Sequence, residues 1–266
     1  MSTNLDAYFA RVGYGGATPR TLETINRLML AHVSSIPFEN LDVLLNRPIS
    51  LAPEDVDNKL ITNKRGGYCF EQNTLMLRVL QTLGFEVEAI SARVRYQRPR
   101  DFTPPRTHVF LKVTLNGATW LVDVGVGAMS PTCALRFELD VEQATPHEPR
   151  RFIREDGRYF HQARLGDAWV DIAEFTMEAM PAIDREVANW FTSAHPQSHF
   201  KSRLMVALAI PDGRVTILNR EFTLRRGAKA ETSLIESPEQ LLQLLDQHFG
   251  LVFPAGTRFE CPALDF

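Results

Sequence analysis

The sequence has few cysteines, and they lie far apart. Its 266 residues include three, Cys69, Cys133 and Cys261. An odd and widely spaced set does not form a disulfide framework. The paired patterns C-x-x-C and H-E-x-x-H, which would indicate zinc, are missing from the sequence. We therefore expect reduced thiols, no bound metal and a cytoplasmic location.

Long apolar runs and an excess of one charge are also missing. No stretch reaches the roughly 18 apolar residues that would span a bilayer. The first residues, "MSTNLDAYFARVGYGG", lack a basic-then-apolar signal pattern. The formal net charge of −3 gives no reason to expect nucleic acid or a membrane as a partner. The apolar share of 44% and charged share of 23% indicate a globular protein with a real core.

Helical spacing dominates the first 84 residues. In "ATPRTLETINRLMLAHV" the pattern predicts Thr18 as the N-cap and Pro19 as the first helical residue. A second helical pattern follows "RGGYC" and ends at Gly84, which suits a C-terminal cap. Cys69 is thus predicted at or just before a helix N-terminus.

The middle of the chain has strand patterns instead. From Phe85 to about Phe175, short β-like runs are separated by turn dipeptides. These dipeptides are Asn116-Gly117, Asp156-Gly157 and Gly166-Asp167. Turns of this kind join adjacent antiparallel strands, so the pattern indicates a meander or barrel rather than a βαβ repeat.

The last part of the chain begins with a looser stretch, from Met180 to Phe200. Three strand patterns follow it, "SRLMVALAI", "RVTIL" and "EFTLRR". Ser237 then begins a helix that ends near Gly250. We predict an α+β fold in three segments, 1–84, 85–190 and 191–266.

Cys69 lies in the stretch "KRGGYCFEQN", which suits a nucleophile. A thiol reacts as the thiolate, and a helix N-terminus favours that form through its unpaired N–H groups and the helix dipole. Gly66 and Gly67 would let the backbone approach a substrate closely. The same N–H groups could stabilise an oxyanion. Since a lone cysteine at a helix start is more often a packing residue, this stretch alone does not establish catalysis.

The stretch "RTHVFLKVTLNGATWLVDVGVG" predicts a hairpin that brings a histidine to an aspartate. With Asn116-Gly117 as a two-residue loop, Phe110 lies opposite Asp123 and His108 lies opposite Gly125. His108 and Asp123 are then diagonal neighbours on one face, with Cβ atoms roughly 5–8 Å apart. A slip of one residue would put them on opposite faces.

Cys69, His108 and Asp123 together form the set of residues that a cysteine nucleophile uses. His108 would take the proton of Cys69, and Asp123 would fix the histidine tautomer and stabilise the imidazolium. Chance placement is the ordinary explanation of either residue alone, but the combination favours catalysis. The chemistry is acyl transfer or hydrolysis, and it does not choose between water, an amine and a peptide as the acyl partner.

The remaining cysteines and two of the histidines are given no chemical role. Cys133 and Cys261 lack a nearby histidine or helix start, so we expect them to pack in the protein. His147 and His161 are expected to be solvated. "DVGVGA" has too few glycines for a dinucleotide-binding fingerprint.

Four stretches together resemble the arylamine N-acetyltransferase family, over essentially the whole chain. They are "SIPFENLDV", "RGGYCFEQN", "RTHVFLKV" and "WLVDVGVG". The spacing between the key residues is 108 − 69 = 39 and 123 − 108 = 15. By this resemblance the family's nucleophile, histidine and aspartate fall on Cys69, His108 and Asp123. Glu39 and Arg65 resemble the family's ion pair behind the site, which we expect to be structural.

The resemblance implies an N-terminal helical bundle, a central antiparallel β-barrel and a C-terminal α/β lid, with a cysteine-protease-like core. It also implies a ping-pong reaction with acetyl-CoA as co-substrate. Cys69 would take the acetyl group and release CoA. An aromatic amine or hydrazine would then take the acetyl group from Cys69, with His108 moving the proton.

The resemblance further suggests two sets of binding residues. Backbone beside the catalytic hairpin is expected to contact the pantetheine or pyrophosphate of CoA, at Thr107, Gly125 and Gly127. Apolar side chains are expected to line the pocket for a neutral arylamine, namely Phe38, Val109 and Phe200. The family commonly has D-V-G-F-G where this chain has Val126. We expect that difference to reshape the amine pocket rather than change the reaction.

Two other functions stay open at this point. A transglutaminase-like or peptidase-like cysteine hydrolase would use the same triad, react with activated esters or amides and have no dependence on CoA. A non-catalytic binding module would carry an unreactive Cys69, which the presence of all three chemical residues disfavours. The sequence does not indicate an oligomeric state.

Overall fold

The computed structural model describes residues 3–266, and over this range it contains two antiparallel sheets with helices packed around them. The α-helices are α1 (Leu5–Val12), α2 (Leu22–Ser35), α3 (Leu41–Leu44), α4 (Pro53–Asp57), α5 (Cys69–Thr82), α6 (Ala182–Ala194) and α7 (Pro238–Phe249). The strands are β1 (Phe38–Glu39), β2 (Glu86–Val94), β3 (His108–Leu115), β4 (Ala118–Val122), β5 (Leu135–Arg136), β6 (Arg150–Glu155), β7 (Arg158–Leu165), β8 (Ala168–Ala179), β9 (Met205–Ile210), β10 (Gly213–Leu218), β11 (Glu221–Arg226) and β12 (Lys229–Leu234). The predicted α+β fold is confirmed, whereas the boundaries of the three segments stay a prediction.

The larger sheet is the predicted barrel. Its strands follow the order β5-β4-β3-β2-β8-β7-β6, all pairs are antiparallel, and the sheet is nearly closed. All three predicted turns join adjacent strands of this sheet. In Asn116-Gly117 and Asp156-Gly157 both residues have positive φ, the geometry that matches the twist of a two-residue hairpin. The first of these turns puts Leu115 opposite Ala118, as predicted.

The start of α2 differs from the prediction. The helix begins at Leu22 rather than Pro19, because Thr21 is the residue that caps it. The Thr21 hydroxyl accepts a hydrogen bond from the backbone N–H of Thr24 at 3.3 Å. The N–H of Thr21 donates to the carbonyl of Pro19 at 2.8 Å, so the proline lies in a turn before the helix.

The stretch from Met180 to Phe200 is not loose, because most of it forms α6. The apolar side chains that would mark a helix point outward here: Ile183, Val187 and Trp190 are all more than 60% exposed. The buried face consists of small and polar residues, Ala188, Asn189 and Thr192. The helical spacing of Ile183, Val187 and Trp190 was available in the sequence, which does not reveal that they face outward.

The smaller sheet combines distant parts of the chain, in the order β1-β9-β10-β11-β12. Strands β9, β10 and β11 match the three predicted patterns, whereas β12 is wholly exposed at the edge and was not predicted. The short strand β1 pairs with β9, with Phe38 opposite Ala207. The predicted last helix is confirmed as α7, with Ser237 as its N-cap and Gly250 in the left-handed conformation after it.

One apolar core joins α1, α2 and α5 to the larger sheet, and Cys69 belongs to it. A second core lies between the smaller sheet, α3 and α7. In the part of the chain described, residues 3–266, no helix has both the length and the apolar character needed to cross a membrane.

The loop before α5 is held close to the chain around β1. The N–H of Gly67 donates to the carbonyl of Pro37 at 3.2 Å, and the N–H of Glu39 donates to the carbonyl of Gly67 at 3.0 Å. Between them, Gly66 packs so tightly that a Cβ would lie 2.2 Å from the Pro37 oxygen. This close approach requires glycine and fixes the path of the chain into Cys69.

Replacing Gly66 with alanine should destabilise the protein by roughly 1–3 kcal/mol, because the added methyl group overlaps the Pro37 backbone. Calorimetry should show a fall in Tm of several degrees, at about 2–4 °C per kcal/mol. Gly15→Ala is the matched control, since a Cβ there meets no atom of residues 3–266 within 4 Å. Equal Tm values for the two variants would contradict this account of the loop.

Candidate active site

Cys69 is the first residue of α5. Its side chain is buried and its Sγ lies 3.7 Å from the carbonyl oxygen of Thr107, just before β3. The carboxylate of Glu71 accepts a hydrogen bond from the N–H of Tyr68 at 3.0 Å, which closes the first turn of the helix. The thiol therefore lies at a helix N-terminus that contacts the barrel.

His108 and Asp123 meet at one end of the β3–β4 hairpin. His108 is the first residue of β3, and Asp123 directly follows β4. The observed pairing of Leu111 with Val122 continues the predicted register to these residues. His108 Nε2 lies 2.7 Å from Asp123 Oδ2, and both side chains are buried.

Asn73 ties this pair to the helix of Cys69. It lies one turn after Cys69, and its Nδ2 donates to Asp123 Oδ1 at 2.9 Å and to the carbonyl of Val109 at 2.8 Å. The N–H of Gly125 donates to the same Asp123 oxygen at 2.9 Å. Asn73 stands at the end of the "CFEQN" motif, but the sequence analysis assigned it no role; its spacing of four residues from Cys69 was the available signal.

The histidine is held in its charged form. Burial lowers the pKa of His108, but the charge and hydrogen bond of Asp123, together with a hydrogen bond to Cys69, outweigh it and raise that pKa to about 10. For Asp123, burial raises the pKa, but His108 and the hydrogen bond from Asn73 bring it below its ordinary value. Because Nε2 of His108 is engaged by Asp123, Nδ1 is the ring nitrogen left for the thiol.

A buried charge network lies behind the loop that precedes α5. Arg65 Nη2 lies 2.7 Å from Glu39 Oε1 and 3.2 Å from Asp42 Oδ1. Lys59 Nζ lies 2.8 Å from Asp42 and 2.7 Å from Glu71. Burial lowers the pKa of Lys59, but the carboxylates around it raise it above its ordinary value. The expected contact of Glu39 with Arg65 is thus part of a larger set whose other members the sequence analysis missed.

Two of the three residues expected to bind CoA lie beside Cys69. The Thr107 carbonyl faces Cys69 Sγ. Gly125 packs against α5, where a Cβ would lie 2.7 Å from the Cα of Cys69. Gly127 lies beside the ring of Phe38, with a positive φ. The backbone at Thr107 and Gly125 is thus close to Cys69, whereas Gly127 lies beside Phe38.

The three residues expected to line the amine pocket, Phe38, Val109 and Phe200, all belong to one apolar cluster. The rings of Phe38 and Phe200 lie 6.4 Å apart between centroids, and Phe200 lies 5.3 Å from the ring of Tyr68. Val109 follows His108 in β3, so its side chain points to the other face of the strand, into the core with the helices. The structure thus groups the two phenylalanines and separates the valine from His108.

His161 is buried inside the barrel, not solvated as expected. It shares a cavity of about 10 Å³ with Asp123, and its Nε2 lies 3.5 Å from Arg150 Nη1. Burial and the Arg150 charge lower the pKa of His161 to about 3, so it is neutral. Arg150 is the polar partner that makes this burial tolerable, and the sequence pattern does not reveal the contact. His147 is also partly buried, with Nε2 2.9 Å from the Ile210 carbonyl oxygen.

The other two cysteines pack as expected. Cys133 packs against the core inside the barrel, and Cys261 is buried in the core of the smaller sheet. Burial raises the pKa of both thiols. Among residues 3–266, no three His, Cys, Asp or Glu side chains are grouped so that they could hold a metal ion.

Comparison with known proteins shows that the chain is an N-acetyltransferase. A profile described as N-acetyltransferase matches residues 21–257, which is most of the chain. More narrowly, the chain belongs to the arylamine N-acetyltransferase family, as its relatives show.

Three of these relatives illustrate the match. The arylamine N-acetyltransferase of Mycobacterium tuberculosis is 39% identical over 255 residues, covering 94% of this chain and 90% of the relative. The arylamine N-acetyltransferase / N-hydroxyarylamine O-acetyltransferase of Salmonella typhimurium is 37% identical over 253 residues, covering 94% and 90%. The structure of the Mycobacterium marinum arylamine N-acetyltransferase in complex with CoA has a TM-score of 0.90 and 38% identity, covering 93% and 92%.

His108 should stay protonated at neutral pH and titrate near pH 10, because Asp123 and Cys69 favour the imidazolium. It should therefore contribute stability that is fully present below about pH 6.5 and is lost as the pH rises through about 10. NMR titration of ¹⁵N-labelled histidine checks this. His32 is an internal control, since burial lowers its pKa to about 4 and it should be neutral at pH 7. A His108 titration near pH 6.5 would contradict the assignment.

Proposed function

We propose that the protein transfers an acetyl group from acetyl-CoA to an aromatic amine or hydrazine, through an acetyl-thioester on Cys69. The observation that carries the proposal is the buried His108–Asp123 pair beside the thiol at the start of α5. The names of the relatives support the acceptor class. The CoA complex of the M. marinum relative supports acetyl-CoA as the donor.

In the first step Cys69 is the nucleophile. Because His108 is already charged, with Nδ1 holding its proton toward the sulfur, Cys69 reacts as the thiolate and attacks the carbonyl carbon of acetyl-CoA. Unpaired N–H groups at the start of α5 stabilise the oxyanion that forms. The bond from this carbon to the CoA sulfur then breaks, and the CoA thiolate takes the proton from the imidazolium.

In the second step the amine attacks the same carbon. The C–S bond to Cys69 breaks as the C–N bond forms, and the proton that the nitrogen loses passes to His108. That proton makes His108 charged again beside the thiolate of Cys69, which restores the starting state. Asp123 keeps Nδ1 directed at the reacting atoms in both steps, since it binds Nε2 and stabilises the charged ring.

Two sets of contacts support binding in this proposal. The backbone at Thr107 and Gly125, next to Cys69, contacts the pantetheine end of CoA. The rings of Phe38 and Phe200 form an apolar wall for the aromatic acceptor. An arylamine is largely neutral at pH 7, so it enters such a site without losing a charge to desolvation.

The experiment that tests this function measures CoA release from acetyl-CoA, with and without 4-aminobenzoate. We expect one equivalent of CoA per protein in a burst without the amine, and continuous turnover once the amine is added. Cys69→Ala should remove both the burst and the turnover while the Tm shows a folded protein. Continuous CoA release without an amine would favour a hydrolase, and turnover in the alanine variant would exclude Cys69 as the acetyl carrier.

Iodoacetamide at pH 6 should label Cys69 far faster than Cys133 or Cys261. The charged His108 stabilises the thiolate of Cys69, whereas burial raises the pKa of the other two thiols. Mass spectrometry of the digested protein gives the three rates. Labelling after denaturation is the control, because all three thiols should then react alike. Equal rates in the folded protein would argue against an activated thiol.

A further inference from the structure

Three arginines face a single buried carboxylate where β2 pairs with β8. Glu174 Oε2 accepts hydrogen bonds from Nε and Nη2 of the buried Arg95, the former at 2.6 Å. Its other oxygen lies 3.4 Å from Arg93 Nε and 3.2 Å from Arg158 Nη1. One negative charge is therefore shared by three positive charges, which leaves two of them uncompensated at this position.

A cavity of about 110 Å³ opens beside this cluster. Three arginines and three hydroxyl residues line it together with one carboxylate and one aromatic ring: Arg93, Arg106, Arg158, Ser91, Thr103, Thr176, Glu174 and Phe175. A cavity needs roughly 10–15 Å³ to hold one water molecule, so this one has room for a tetrahedral oxyanion. Within residues 3–266, the Thr176 hydroxyl is buried without a hydrogen-bond partner, although it could donate to a ligand in the cavity.

The charges around the cavity favour an anion. Burial lowers the pKa of Arg93, and the neighbouring guanidinium groups of Arg106, Arg95 and Arg158 lower it further, although Glu174 opposes this. Arg106 is itself paired with Glu178, at 2.5 Å, but both side chains are largely exposed. A surface pair of this kind contributes little and is easily exchanged for a ligand.

We propose that this cavity is a phosphate-binding subsite, with a preference for a dianionic phosphate group. Two uncompensated guanidinium groups match the charge of a phosphate monoester, and arginine binds phosphate oxygens in a two-pronged geometry. The hydroxyls of Ser91 and Thr176 add hydrogen-bond donors. Such a phosphate has two sources, the 3′-phosphate of CoA or free inorganic phosphate.

The position of the cavity favours CoA, an argument that rests on the proposed function. Arg106 directly precedes Thr107, whose carbonyl lies 3.7 Å from Cys69 Sγ. Arg93 Nη1 also donates to the carbonyl of Pro104 at 2.5 Å, so the cluster holds the loop that leads to His108 and contacts the thiol through Thr107. CoA carries its phosphates at the far end of the pantetheine arm from its sulfur. A phosphate subsite should therefore lie beyond that loop, away from the reacting atoms.

The first arm of the test compares acetyl-CoA with acetyl-3′-dephospho-CoA and p-nitrophenyl acetate as donors. Arg158→Gln should raise the KM for acetyl-CoA about tenfold, as loss of one charge-assisted contact implies. It should leave the KM for the dephospho donor and the rate with p-nitrophenyl acetate unchanged. Arg164→Gln is the matched control, because it removes the same charge from the same strand, at a side chain that pairs with Glu142 instead.

The second arm titrates inorganic phosphate into each protein at low salt, followed by calorimetry. Weaker phosphate binding in Arg158→Gln, with no selective change in KM, would support the site and identify free phosphate as its ligand. Equal phosphate binding and equal KM values in the two variants would overturn the proposal. This arm needs no turnover, so it decides the phosphate site even if acetyl transfer itself is not found.

Discussion

The rest of the site depends on the buried contact between His108 and Asp123. An aspartate inside a barrel is tolerated only when its charge is paired, and removing one partner of a buried pair typically costs about 3–5 kcal/mol. The histidine gains from the same contact, since it stays charged despite its burial. Asn73 links this pair to α5, so the position of the thiol is set by the element that also satisfies the aspartate.

A second set of charges orients the chain that enters α5. The network of Glu39, Asp42, Lys59, Arg65 and Glu71 joins β1, the helices that follow it and the first turn of α5. Because β1 is also the edge strand of the smaller sheet, the loop before Cys69 touches both halves of the fold. The position of the thiol is thus fixed by ion pairs at the loop before α5 and by the contact of α5 with the β3–β4 hairpin.

Sequence reasoning succeeded where local chemistry decides the structure. The Asn116-Gly117 turn sets the hairpin register, and that register alone brings His108 to Asp123. It failed on one local choice between two possible caps and on two features that depend on tertiary packing. Thr21 captures the helix start from Thr18, α6 turns its apolar residues outward, and His161 is buried beside Arg150. The exposure of α6 and the burial of His161 depend on neighbouring surfaces that the sequence pattern does not specify.

The sequence by itself determined which residues could react, and through one tight turn it determined that two of them would meet. Only the tertiary structure decided how Cys69 reaches them, because that depends on how α5 packs against β3 through Asn73. It alone also gathered Arg93, Arg158 and Glu174 around one cavity. These contacts join residues far apart in the chain, and their geometry follows from the packing of strands and helices rather than from any local pattern.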